Sequence, residues 1–255
     1  ILNGAMINTS IENGVMTLSI DRPTKKNALT AGMYAELAER IFAAQSDQSV
    51  RSILIRGEGE NFCAGNDLAD FLELAKSGAF SGDLSAFPPM ALLHGLVDNQ
   101  LPMIAAVQGA AIGIGLTLLL HCDLVVCADN VRLQTPFVDL GLVPEAASSL
   151  LLPARVGRVN AAEILLLGAP ISADRALQMG LCNSVCSAGE LDVRAAGLAA
   201  ALASKPPQAL AASKTLLTPN NDELHKRIDE EAIAFLKSLQ SDEAKQALSQ
   251  FFKPR

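Results

Sequence analysis

Twice in this chain a short apolar run breaks at a glycine-bearing corner and resumes as a helix. That repeat restricts the possible folds more than any other feature. The first run, Ser52–Gly57, is short and apolar enough to be a buried strand closed by a glycine turn. Asn61-Phe62-Cys63-Ala64-Gly65-Asn66-Asp67-Leu68 follows it, and residues 68–74 read as the first turns of a helix. The second run, Met103–Val107, is of the kind buried on both faces of a sheet. After it Gly109, Gly113 and Gly115 interrupt the chain, residues 116–120 continue as an apolar helix, and residues 123–127 form another strand. Strand, corner, helix and strand in that order imply parallel strands joined by right-handed crossovers. Each corner leaves backbone N–H groups at a helix start with no partner inside the helix. Such a corner can hold negative charge developing on oxygen, and it equally suits an ordinary strand-to-helix turn.

Composition narrows the function classes. The 255 residues make one large domain or a domain with an appendage, and half of them are hydrophobic, enough for a sizeable core. With one Tyr and no Trp, that core is aliphatic. The net charge of −7 comes without a long basic run, which argues against nucleic acid as the partner. Cys63, Cys122, Cys127, Cys182 and Cys186 are odd in number and irregular in spacing, and read as buried free thiols, not as a metal site. No apolar span is long enough for a membrane helix, since residues 116–120 meet His121 and Asp123 at once. Without a basic-then-apolar leader or a terminal Ser-Lys-Leu, the expected placement is cytoplasmic, with no membrane partner. Residues 1–5 precede Met6 and read as an addition ahead of the natural start. His94, His121 and His225 are scattered in the sequence and read as structural or surface histidines.

The remaining elements follow from periodicity. Residues 14–21 alternate like a strand, and Asp21 to Asn27 form a polar turn fixed by Pro23. Thr30 caps a helix from Ala31 to about Gln45, with Met33, Leu37, Ile41 and Phe42 on one face. Residues 76–89, rich in Gly, Ser and Pro, carry the weakest ordering pattern. Residues 90–97 form a helix. After Gly141 the texture turns helical: 145–152, 160–167, 173–179, 190–203, 207–217 and 222–249, with Gly168 and Gly180 as stops. The last helix sets Ile233, Phe235, Leu236 and Leu239 beside charged residues, a combination suited to packing on a neighbour.

Four segments together, residues 21–29, 61–68, 106–117 and 135–152, resemble the crotonase superfamily, the enoyl-CoA hydratase/isomerase family. The runs Cys63-Ala64-Gly65-Asn66-Asp67-Leu68 and Thr135-Pro136-Phe137 through Pro144-Glu145 are most similar to its enoyl-CoA delta isomerase branch. The resemblance implies an α/β fold: a spiral of strand-strand-helix units over residues 6–200, then a helical oligomerisation region over residues 201–255. It implies an acyl-CoA thioester as substrate, no cofactor apart from the CoA the substrate carries, no metal, and a homotrimer or dimer of trimers. The thioester oxygen would lie between the backbone amides of Asn66 and Ile114, where the family usually has glycine in place of Ile114. Ala64, Gly65, Asp67 and Leu68 match the segment that meets the CoA moiety, and Gly113 and Phe137 fall at the substrate cleft. Lys26, with Arg22 and Lys25, belongs to the compact basic cluster available to CoA phosphates, as are Lys253 and Arg255 in the tail. The segment 71–93 is placed along the acyl tunnel.

The acids separate the chemistries. Hydratases of this family share their work between two glutamates, and the matching positions here are Thr117 and Phe137. Glu145, directly after Pro144, is a carboxylate at a third position, where isomerases of the family resemble one another, and its apolar neighbours are of the kind that raise a carboxyl pKa. One carboxylate suffices to move a double bond, so the expected activity is conversion of a β,γ-enoyl-CoA to the α,β isomer. Glu145 could also be a stabilising carboxylate at a helix start. A hydratase or lyase using Asp139 or a substrate group, and a silent acyl-CoA-binding protein, are the other two readings.

Overall fold

The computed structural model describes residues 6–67, 69–70, 84–218 and 220–251. The described residues form nine strands and ten α-helices, and the last four elements are all helices. The main sheet takes β1 (Ile7–Glu12), β2 (Val15–Ile20), β3 (Ser52–Gly57), β4 (Met103–Val107), β6 (Leu124–Ala128) and β9 (Ser184–Cys186), in that spatial order. β1 and β2 form an antiparallel hairpin, and every later pair in this sheet is parallel. A second, small sheet joins β5 (Ala110–Ile112), β7 (Arg132–Gln134) and β8 (Ile171–Ser172).

The middle strands are buried on both faces, and the two-residue period assigns alternate side chains to different layers. Ile53, Ile55, Met103, Ala105, Val107, Val125 and Cys127 enter the main core. Leu54, Ile104, Ala106, Val126 and Ala128 face the opposite way, onto Leu191, Ala195 and Ala199. Those three lie on α7 (Leu191–Ala203), whose alanines allow close approach to the sheet. On the main-core side lie α1 (Ala31–Ala44), α2 (Pro89–Asp98) and the helix α9 (Asn221–Leu239).

Several expectations change. The β1 strand was not foreseen, although Asn13-Gly14 at its end, both at positive φ, is a standard two-residue hairpin turn. The Thr30 hydroxyl does accept from the Met33 amide and starts α1. Phe42, however, is 78% exposed, and Tyr34 and Ala44 complete the buried face instead. The apolar helix at 116–120 is a single turn, α3 (Ile114–Thr117), which tightens into a 3-10 turn at Leu118–His121. The helix expected from 145 begins only at Ser148, as α4 (Ser148–Val156), so Glu145 precedes it in irregular backbone. The helix expected over 222–249 is two, α9 and α10 (Asp242–Phe251), separated at Gln240 and Ser241. Phe235, Leu236 and Leu239 are buried within this chain, whereas Ile233 is exposed. The stops at Gly168 and Gly180 end α5 (Arg158–Leu167) and α6 (Ala173–Met179), both in the left-handed conformation. Between α7 and α9 runs α8 (Pro207–Leu217), which buries no residue. All five cysteines are free. No helix among the described residues is long and apolar enough to cross a membrane.

Candidate functional site

The two corners meet through a parallel bridge between Cys63 and Ala111. The Cys63 amide donates to the Ala110 carbonyl, and the Ile112 amide donates to the Cys63 carbonyl, both at 2.9 Å. Three residues beyond these paired positions stand Asn66 and Ile114. Among the described residues, neither of their backbone amides has an acceptor. Glycine is what allows the corners to close this far. A Cβ on Gly115 would lie 2.4 Å from the Cys63 carbonyl oxygen, nearer than real Cβ atoms approach. Gly65 adopts φ +101°, and Gly113, at φ +56°, opens α3.

A solvent-open cleft runs along this seam, lined by Ala64, Gly65, Asn66, Asp67, Gly113 and Phe137, with Lys25 at its side. Lys26 offers the corner its backbone instead: its carbonyl accepts from the Ala64 amide at 2.9 Å, and its side chain is exposed. Asp67 is held by Arg22 at 2.7 Å and accepts from the amides of Ala69 and Asp70. The guanidinium also donates to the Ala28 carbonyl, so Arg22 is a strut of the corner. Leu68, most of the 71–93 segment, Lys253 and Arg255 lie outside the described residues.

Beside the cleft is a smaller, mostly apolar pocket bounded by Tyr34, Asn66, Phe87, Leu93, Glu145 and Phe235, among others. Glu145 is only 8% exposed, and burial pushes its carboxyl up to about 8. The Thr117 hydroxyl donates to Glu145 Oε1, which favours the ionised form and moderates that rise. The Tyr34 hydroxyl donates to Asn66 Oδ1, joining α1 to the first corner. The backbone after Glu145 is unusual, with Ala146 at φ +61° and Ala147 at φ +54°. His121 supports it: burial pushes its imidazole down to about 4, and the neutral ring donates from Nε2 to the Ala146 carbonyl at 2.8 Å. On the far side, Glu231 of α9 accepts from the Ser149 amide at 2.9 Å.

The structure therefore brings together Glu145, Asn66, Gly65 and Phe137, with Ile114 buried at the second corner. Asp139 is exposed in a 3-10 turn, Val138–Leu140. Sequence reasoning missed Tyr34, His121 and Glu231, and it noted Thr117 only for the glutamate it replaces. One signal was available: Leu224, Ile228, Glu231 and Phe235 share a helical stripe, on which a carboxylate is out of place. Two of the three histidines come together in space. His94 and His225 stack face to face with their Nδ1 atoms in hydrogen-bond contact, flanked by Asp229 and Asp98. Among the described residues, no cluster of His, Cys, Asp and Glu is arranged to hold a metal.

A family model described as enoyl-CoA hydratase/isomerase matches residues 10–255. A probable enoyl-CoA hydratase of Bacillus subtilis is 34% identical over 252 residues, covering 98% of this chain and 96% of that protein. The rat enoyl-CoA delta isomerase 2 is 31% identical over 227 residues, 89% of this chain and 58% of the longer relative. The crystal structure of an enoyl-CoA hydratase/isomerase from Pseudoalteromonas atlantica superposes with a TM-score of 0.90 at 36% identity, covering 98% of this chain and 99% of that one. Fold, motif order and sequence agree across nearly the full length: the chain belongs to the enoyl-CoA hydratase/isomerase family, the crotonase superfamily.

Proposed function

We propose that the protein is an enoyl-CoA isomerase that moves a double bond from the β,γ to the α,β position, with Glu145 as its single acid/base. The observation that carries this reading is a lone carboxylate, buried and weakly acidic, on the wall of an apolar pocket shared with Asn66. Ionised Glu145 takes a proton from the α carbon, and the C–H electron pair becomes part of a dienolate whose negative charge rests on the thioester oxygen. The amides of Asn66 and Ile114 receive that oxygen, each such donor stabilising the charge by about 3 kcal/mol. Protonated Glu145 then returns its proton to the γ carbon, the electrons shift, and the thioester carbonyl re-forms. A carboxyl that binds its proton up to about pH 8 is a stronger base than an exposed one. CoA enters as part of the substrate, with Lys25 and Lys26 available to its phosphates, and the chemistry calls on no further cofactor.

A panel of β,γ-enoyl-CoA thioesters, assayed for double-bond migration and water uptake together, tests the proposal. Migration without hydration is expected. Glu145→Gln should lower kcat by at least about a thousandfold while acyl-CoA still binds, within the range spanned by general acid–base catalysis. Unchanged turnover in that variant would remove Glu145 from the reaction. The Bacillus relative's name favours hydration as the second reading. Rapid hydration of a crotonyl thioester with no migration would establish it instead.

A further inference from the structure

Among the described residues, Glu145 and Glu231 are the two buried carboxylates, at 8% and 6% exposure. They approach the same loop from elements far apart in the sequence. Glu145 begins it, and Glu231 reaches in from α9 to accept the Ser149 amide at 2.9 Å. A helix normally meets its first amides with an acceptor from its own N-cap side chain. Here the N-cap is Ala147, which has none, and Glu231 supplies the acceptor from another helix. Arg227, one turn earlier on α9, donates to the Ser149 hydroxyl at 3.0 Å. Glu231 Oε2 and the Ser148 hydroxyl are buried without a hydrogen-bond partner among the described residues.

We propose that Glu231 is a positioning residue for Glu145: it fixes the 145–149 loop through the Ser149 amide and brings a second buried carboxylate to that loop. The proposal rests on Glu145 being the acid/base. Burial raises the Glu231 carboxyl too, against the hydrogen bonds from Ser149 that favour its ionised form; once ionised, its charge adds to burial in raising Glu145. The other titratable groups facing the pair do not supply that charge. Burial keeps the Tyr34 phenol and the Cys63 thiol protonated, the latter up to about 12. His121 is neutral above about 4, and Arg227 is the neighbouring cation, shared with Glu230. Thr117 does not titrate.

Two measurements independent of turnover test this. With the glutamate carboxyls labelled with carbon-13, and Glu145→Gln used to assign the resonance, Glu145 should titrate lower in Glu231→Gln than in the native protein. A fall of about 0.5–1 pH unit is expected for losing one nearby buried charge. The Gln amide oxygen can still accept from Ser149, so the loop persists. In Glu231→Asp the charge stays but the reach shortens, and the Ser149 amide should exchange with solvent about tenfold faster. An unchanged Glu145 midpoint in folded Glu231→Gln, or unchanged Ser149 exchange in Glu231→Asp, overturns the proposal. Should the native protein fail to move double bonds, both readouts still stand, so the two failures are distinguishable. With turnover, the acid limb of kcat/KM should move down with the midpoint in Glu231→Gln and stay in place in Glu231→Asp.

Discussion

Glu145 sits where a carboxylate is least comfortable, and its folded-state preference for the proton has two measurable effects. As the proposed base it must be ionised, so kcat/KM should rise with pH and level off above about 8, a profile read from initial rates across pH 5–9.5. Stability should run the other way. The folded protein holds the proton up to about 8, whereas an unfolded carboxyl releases it near 4.5, so folding weakens as pH rises through that window. Glu145→Gln removes this penalty, and its stability advantage should grow by a few kcal/mol, on the order expected from the shift, between pH 4.5 and 8.5 in urea titrations. Tyr34→Phe removes the hydroxyl that donates to Asn66 Oδ1, from a residue only 1% exposed. It should cost about 1–2 kcal/mol of stability by the same assay. The sequence alone disclosed Glu145 and its apolar setting because the neighbours that desolvate it are partly adjacent. Thr117, His121 and Glu231 were not legible as its supports, since each reaches the loop across 25 or more residues of chain.

At the scale of elements, the corners depend on glycine for room and not for flexibility. Gly115→Ala would drive a methyl group into the Cys63 carbonyl, where backbone faces backbone and neither can yield cheaply. A loss of about 2–3 kcal/mol or more is expected, with weaker acyl-CoA binding. Gly95, inside α2 with nothing within 4 Å of its absent Cβ, is the contrasting case. Gly95→Ala should stabilise by about 0.5–1 kcal/mol, and paired thermal melts of the two variants make the comparison. The long parallel strands were readable from their apolar runs and glycine boundaries. The two- and three-residue strands of the small sheet were not, because such short pieces carry no period. Phe42 misled because a fourth apolar residue near the helical stripe is not thereby on it. The break at Gln240 and Ser241 carries neither Gly nor Pro to announce it.

Across the whole molecule, a two-faced sheet presents its corners on one side, while α9 folds back beside them and lines the cleft with Phe235. Residues 201–255 were expected to serve subunit packing, and a homotrimer or pair of trimers remains our proposal. Leu216 and Leu217 at the end of α8 stand 87% and 85% exposed, apolar surface of a kind that subunits cover. Light scattering should then give three or six times the 26.7 kDa chain, and Leu216→Lys with Leu217→Lys should reduce it. What residues 201–255 do within one chain is clearer. The loop carrying Glu145 is fastened by Thr117 and His121 from one direction and by Glu231 from another. A chain emerging from the ribosome thus lays down its sheet long before Glu145 has its last support. A polypeptide halted ahead of α9 could own every corner and every strand and still be chemically unfinished.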